Sequence, residues 1–326
     1  MARKLLPAFL LLFIGFLGTG LVLEGCKRQP PRVAVIPRTT AFTIWEAAHA
    51  GAQFAAGKAG IQVYWNAPTS EDDIQQQAAM IERIIDGKFQ GLILAPDQPL
   101  ALMAPVERAL ANGVRTVVIA SPLPMPPRAN LAYIVNDDVE SGRMAAMRIG
   151  QVLHAKGRVA VLGISPESLS ELTILHAFET TMEVNFPDIV IAERRTGTHN
   201  GTEAQQIADE MLATYRNLDA IFALSAAASN GAVAAMQVGG LTSKIKLVGF
   251  EQSVELANLV RAQAMDAIVA EDTYEMGYRA MQLLAANRGG AIAPQEVRLQ
   301  PTLLTRDNID SPEVQHLINK DWSHRP

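Results

Sequence analysis

Few side chains in this 326-residue chain are of the types and spacings that do covalent or metal chemistry. Cys26 is the single cysteine, so an internal disulfide and a paired-thiol metal site are both ruled out. The histidines, His49, His154, His176, His199, His316 and His324, are scattered without metal-ligand spacing. Walker loops, Gly-x-Ser-x-Gly elbows, His-Glu-x-x-His and Cys-x-x-Cys motifs are all absent from the sequence. The glycine pairs Gly239-Gly240 and Gly289-Gly290 do not follow a strand in the dinucleotide-binding arrangement. This argues against a metal centre, a bound cofactor and covalent catalysis. A non-covalent isomerase or hydrolase stays open beside a pure binding role.

The elements that must position any polar site are regular. Short apolar runs recur at Val33–Ile36, Ile61–Trp65, Gly91–Ala95, Thr116–Ile119, Val159–Leu162, Ile189–Ile191, Ala220–Leu224 and Lys246–Phe250. Near-continuous rather than alternating apolar strands predict burial on both faces, as in parallel sheets. Between them lie helical stretches at Phe42–Ala59, at Ser141–Ala155 and at Thr202–Tyr215, where Thr202 reads as an N-cap. Another is predicted to open on a Ser70 cap, with Glu71, Asp72 and Asp73 at its positive end. The alternation predicts an α/β fold of βαβ units in doubly wound sheets. Four units precede Pro122, a proline-rich break (Pro122, Pro124, Pro126, Pro127) follows, and then a second set, which predicts two similar halves. In such sheets a ligand meets the loops at the carboxyl ends of the strands.

Apolar residues make up 49% of the chain, enough for a sizeable core, and the net charge is −5. An acidic surface repels nucleic acid, which requires a basic patch. At the start, Arg3 and Lys4 precede an uncharged run from Leu5 to Leu23, and Gly25-Cys26 closes it. That order is an export signal, and its end resembles the bacterial lipoprotein lipobox, with Glu24 where a small residue is usual. The resemblance implies a signal peptide over residues 1–25, lipidation of Cys26 and a membrane-anchored protein of the periplasm or cell envelope. An uncleaved anchor stays open, since 19 uncharged residues nearly span a bilayer. Residues 26–31 then form a tether, with Lys27 and Arg28 at the membrane face and Pro30 and Pro31 stiffening it.

The opening Val33-Ala-Val-Ile-Pro-Arg-Thr-Thr-Ala-Phe-Thr-Ile-Trp45, with Gly51-Ala-Gln53, resembles the sugar-type periplasmic binding proteins related to the ribose binder. Gly91-Leu-Ile-Leu-Ala-Pro96, Ile134-Val-Asn-Asp-Asp138, Ser141-Gly-Arg143, Ala220–Leu224, Leu247-Val-Gly-Phe-Glu251 and Leu303–Ile309 follow in the family's order. The resemblance covers residues 32–310 and implies a type I periplasmic binding protein: two doubly wound parallel-sheet lobes joined by a three-crossing hinge. By resemblance the chain crosses near Asn136 and Asp137, near Glu271 and near Thr302. One lobe is then 32–135 plus 272–302, and the other 136–271 plus 303–326.

The family's ligand positions carry over one at a time. Its Asn-Pro-Phe-Trp matches Phe42-Thr43-Ile44-Trp45, which keeps a stacking aromatic at Trp45 and replaces a polar group by Phe42. Trp45 equally suits packing against the second strand. The family's Asp after the fourth strand is absent, leaving Ala120-Ser121, and its Arg is missing from Leu172–Phe178. Ser225-Ala226 stands where relatives have Asn-Asp. Glu251 matches an Asp, Glu271 a Gln, and His199 a stacking Phe. Each has a plainer reading: a loop acid for Glu251, a bridge across the hinge for Glu271, and an exposed turn for His199. Arg38 either reaches the cleft and balances the acids or lies on the surface. The implied ligand-binding set is therefore Arg38, Phe42, Trp45, Ser121, His199, Ser225, Glu251 and Glu271.

The resemblance implies a monomeric, non-enzymatic binder of a sugar or polyol that closes on its ligand and delivers it to an ABC transporter permease. Reduced polarity with two surviving acids also suits an amine-bearing ligand. The same lobes suit a module presenting its ligand to a sensor kinase or chemoreceptor. A LacI-like regulator is excluded, because the export segment occupies the place of its DNA-binding helices.

Overall fold

The computed structural model describes residues 30–40, 43–70, 73–197 and 201–319. Phe42, His199 and Cys26, together with the signal and all of the tether but Pro30 and Pro31, lie outside these residues. In chain order the first elements are β1 (Arg32–Ile36), α1 (Thr43–Ala59), β2 (Gln62–Trp65), α2 (Ile74–Asp86), β3 (Gly91–Leu94), α3 (Pro99–Ala111), β4 (Arg115–Ala120) and β5 (Leu131–Asn136). Next come α4 (Asp138–Val152), β6 (Lys156–Ile164), α5 (Leu169–Asn185), β7 (Asp188–Thr196), α6 (Gly201–Thr214), β8 (Ala220–Ala223), α7 (Ala226–Val238) and β9 (Lys246–Phe250). The chain continues with α8 (Val254–Arg261), β10 (Ala267–Ala270), α9 (Thr273–Ala286), β11 (Gln295–Leu299), β12 (Thr302–Thr305) and α10 (Pro312–Ile318).

Two six-stranded sheets result, ordered β11-β5-β4-β3-β1-β2 and β12-β10-β9-β8-β6-β7. Every pairing in the first is parallel. The second is parallel except that β12 runs against β10. Each sheet is flanked on both faces. Val33 and Val35 of β1 enter one core and Ala34 and Ile36 the other, as the two-residue strand period requires. Ile221 and Ala223 of β8 likewise part from Ala220 and Phe222. Burial on both sides is why these strands read as unbroken apolar runs.

The chain passes between sheets three times: from β5 to α4, from β10 to α9, and from β11 to β12. The proline-rich break is not one of these passages, because β5 follows it and still pairs with β4 in the first sheet. Asp137 ties two passages together. Its N–H donates to Leu299 O at 2.9 Å, and its carboxylate accepts from Gln300 Nε2 at 3.1 Å.

Three helix starts differ from the sequence reading. Asp73, not Ser70, caps α2, accepting from the Gln76 N–H at 2.9 Å. Helix α4 begins three residues before Ser141, because Asp137 accepts from the Glu140 N–H and ends the turn there. Thr202 falls inside the first turn of α6, whose first residue is Gly201. In the first two cases a carboxylate three residues ahead of an orphan N–H sets the cap.

Helices α1 and α9 approach closely enough to need glycine on both sides. A Cβ on Gly51 would lie 2.1 Å from Tyr274 O, and one on Gly277 would lie 2.0 Å from Ala48 O. The Thr273 hydroxyl adds a hydrogen bond to Ile44 O at 2.9 Å. This contact fixes the start of α1, and with it Trp45, against the passage that carries Glu271.

Candidate functional site

Both sheets place their second and third sequential strands on opposite sides of the first, so each has a switch point, at β1/β3 and at β6/β8. Crevices form at the carboxyl ends of strands at such points. Here the loops after β1, β4, β5, β6, β8, β9 and β10 line one shared cleft. Its polar wall holds Arg38, Asn136, Glu171, Glu251 and Glu271, and its apolar wall includes Trp45. A larger recess sits at the amino ends of β9 and β10, beside the Arg148–Asp266 ion pair. It belongs to one lobe and lies away from both switch points.

Arg38 is held from two sides. Its Nε donates to Pro96 O at 3.3 Å, and its guanidinium carbon lies 5.5 Å from the Trp45 ring centre. The loops carrying it are fixed by Gln77, a fully buried α2 residue that the sequence reading did not single out. The Gln77 amide donates to Pro37 O at 3.0 Å and Ala95 O at 2.9 Å, and its oxygen accepts from the Asp97 N–H at 3.1 Å. Such an amide is invisible in sequence, where it reads as one more polar residue of an amphipathic helix.

Trp45 serves two purposes at once. It is 3% exposed and packed in a core with Ile44 and Ala48, yet it also lines the cleft. Its Nε1–H is buried without an acceptor among the described residues. Because the ring fills core volume, alanine there would leave a cavity costing about 3–5 kcal/mol. The helix therefore does not tolerate that change freely, and phenylalanine is the informative replacement.

Glu251 follows β9 with φ 62°, a left-handed conformation unusual for a side chain with a Cβ. Its carboxylate accepts from the Ala226 N–H at 3.0 Å, at the positive start of α7. Across the cleft Ala120 ends β4 with φ 66°. Left-handed non-glycine residues also occur away from the cleft, at Lys88 and Asn130 for example, so the two here mark sharp turns out of their strands.

Glu271 is 6% exposed, and its backbone is clasped by the Gln252 amide through Gln252 Nε2 to Glu271 O at 2.6 Å and Glu271 N–H to Gln252 Oε1 at 3.0 Å. Burial, then the charges of Asp138 and Glu251, push its carboxyl up to about 8, against Arg38 and the Asn136 amide. Asp138, 4% exposed, was not singled out either. Burial pushes it up to about 6 with help from Asp137, while the Ser170 hydroxyl, Arg298 and Arg38 pull it down. Among the described residues, Asn136 Oδ1 and Asp138 Oδ1 are buried without hydrogen-bond donors.

The remaining expected positions sit at the edge of the site. Ser121 is 1% exposed, directly behind Ala120 of the cleft wall, and its buried Oγ has no partner among the described residues. Ser225 caps α7, its Oγ accepting from the Ala228 N–H at 3.1 Å.

Residues 33–291 match the model of the periplasmic binding protein domain. The chain belongs to the periplasmic binding protein family. Its relatives include the D-allose-binding periplasmic protein of Escherichia coli, 25% identical over 289 residues, which span 86% of this chain and 92% of that one. A carbohydrate transporter solute-binding protein from Agrobacterium radiobacter, solved in complex with D-arabinose, superposes with TM-score 0.83 at 22% identity, covering 90% of this chain and all of that one. One from Actinobacillus succinogenes with bound D-allose gives 0.78 at 19% identity, covering 86% and 99%. As a periplasmic binding protein the chain has the two-lobe arrangement expected of it. Among the described residues no helix is long and apolar enough to cross a membrane.

Proposed function

We propose that this chain is a lipid-anchored solute-binding protein that captures a small carbohydrate by hinge closure and hands it to an ABC importer. The observation that carries this reading is the cleft itself: polar and aromatic groups from both lobes converge at the carboxyl ends of both sheets, beside the three passages. The sugars named for its relatives, D-allose and D-arabinose, agree with a pocket pairing an indole with planar polar groups. Binding is the role we assign: Arg38, Glu251 and Glu271 line the cleft beside Trp45, and the relatives are named for binding a sugar, not for converting one.

Ligand bound only when both walls engage it stabilises the closed form. Saturating D-allose, D-arabinose or a related sugar therefore raises the melting temperature by linkage, and small-angle scattering shows a more compact particle. Bound sugar with unchanged scattering dimensions refutes the clamp. Glu251→Gln keeps the shape and loses the charge, and weakens binding about tenfold. Wild-type affinity in that variant removes Glu251 from the site.

Anchoring has its own test. Cys26→Ala leaves the protein unprocessed or frees it from membranes, and mass spectrometry of the wild-type chain finds an acylated amino terminus at Cys26. A mature terminus elsewhere, without acyl mass, overturns the lipoprotein reading.

A further inference from the structure

The cleft gathers more carboxyl groups than a neutral sugar needs. Among the described lining residues, Glu171, Glu251 and Glu271 face one guanidinium, that of Arg38. Asp138, next to Asn136, adds a fourth carboxyl close enough to act on Glu271, and Arg298 and Arg38 act on it in turn. Glu171 and Glu251 each have an oxygen held by a backbone N–H, from Ser165 at 2.8 Å and Ala226 at 3.0 Å, so their charge is locally compensated.

The corner where β5 passes into α4 and β10 into α9 differs. There Glu271, Asp138 and Asn136 meet, all at most 6% exposed. Asn136 Oδ1 and Asp138 Oδ1 are acceptors without donors among the described residues. Buried acceptors left unsatisfied cost free energy, and an unpaired buried charge costs more. Hydroxyls would satisfy the acceptors but leave the crowding of Asp138 and Glu271 to be relieved by a proton kept on Glu271. An ammonium group supplies three donors together with a positive charge that takes the place of the proton held by Glu271. The same charges disfavour an anionic ligand.

Resting on the carbohydrate-capture reading above, we propose that the preferred ligand is an amino sugar. Its ammonium sits in the corner formed by Asn136, Asp138 and Glu271, and its ring lies toward Trp45. The groups facing Glu271 are Asp138 and Glu251, which raise its proton affinity, and Arg38 and Asn136, which lower it. Those facing Asp138 are Ser170, Arg298, Arg38 and Asp137. A cation arriving among them stabilises the carboxylate form, so binding near pH 7 expels a proton from Glu271.

The test is isothermal titration calorimetry at pH 7 on the purified full chain in detergent. Glucosamine, galactosamine, mannosamine and allosamine are each compared with the parent hexose and the uncharged N-acetyl derivative. At least one amine binds about tenfold or more tightly than both its neutral counterparts, and its apparent enthalpy varies with the ionisation heat of the buffer. Glu271→Gln, checked for folding by its melting curve, brings the amine-to-parent affinity ratio toward one. Parent hexoses that bind as tightly as every amine overturn the amino-sugar assignment and leave carbohydrate capture standing. An amine preference unchanged in Glu271→Gln overturns the corner as its seat. If neither neutral nor amino sugars bind, both readings fall.

Discussion

A Glu271→Gln variant melts several degrees above the wild-type chain at pH 7.5 and together with it near pH 4. The carboxyl of Glu271 is raised from an ordinary 4.5 to about 8 by burial and its acidic neighbours. Between those values the unfolded chain releases the proton and the folded chain keeps it. Stability therefore falls as pH rises through that window, and is fully present below it. Each pH unit spent inside the window removes about 1.4 kcal/mol, so the loss by pH 7.5 is on the order of 3–4 kcal/mol. Glutamine cannot ionise and keeps an uncharged amide in the same space, so it removes the slope. Asp138, raised from 3.8 to about 6, leaves a smaller decline of the same sign below pH 6. Melting temperatures read from pH 4 to 8 decide the matter: parallel curves for variant and wild type would mean that Glu271 is solvated and ionised in the folded chain. A site that costs stability at neutral pH while it waits for its ligand matches the usual trade between stability and function.

Gly277→Ala lowers the unfolding free energy by about 3 kcal/mol, at the upper end of overpacking effects. The added methyl would stand 2.0 Å from Ala48 O and 2.8 Å from Ala48 C. Both are backbone atoms of α1, so no rotamer relieves the clash and the helices must separate. Gly57→Ala in α1 is the control, because its Cβ would meet nothing within 4 Å. There alanine raises helix propensity and stabilises by roughly 0.5–1 kcal/mol. Urea unfolding of the two variants should move in opposite directions. Equal stability for Gly277→Ala and wild type would show that α1 and α9 are not locked at this crossing. Ligand binding should weaken with Gly277→Ala as well, since Ile44 O is bonded to Thr273 and the two helix starts carry Trp45 and the neighbour of Glu271.

The architecture was legible because it rests on local patterns. Unbroken apolar runs at Val33–Ile36, Gly91–Leu94 and Ala220–Ala223 announce strands covered on both faces, and helical stretches between them leave little but parallel βαβ winding. Other strands escaped that pattern, among them the fully buried Leu131–Asn136 and Ala267–Ala270. Gln295–Leu299 alternates exposed and partly buried residues at a sheet edge, and Thr302–Thr305 runs antiparallel after a passage of two residues. A proline-rich segment looked like a border between halves, but β5 beyond it is held by pairing with β4, a contact between segments that no local composition records.

The site divides along the same line. The sequence by itself, through its apolar runs and the family motifs that follow them, placed Arg38, Glu251 and Glu271 in loops after strands and Trp45 at the start of a helix. Only the tertiary structure decided their environment. Glu271 and Asp138 are carboxylates, a type that is almost always exposed, and their burial follows from two lobes meeting where the chain passes between them. Trp45 belongs to core and cleft together because α9 closes over the start of α1. Ser225 spends its hydroxyl on a helix cap, while Gln77, far away in sequence, holds the loop of Arg38. Residue type and spacing are carried along the chain. Desolvation, like-charge crowding and unsatisfied acceptors arise between segments distant in sequence, and they exist only once those segments have packed.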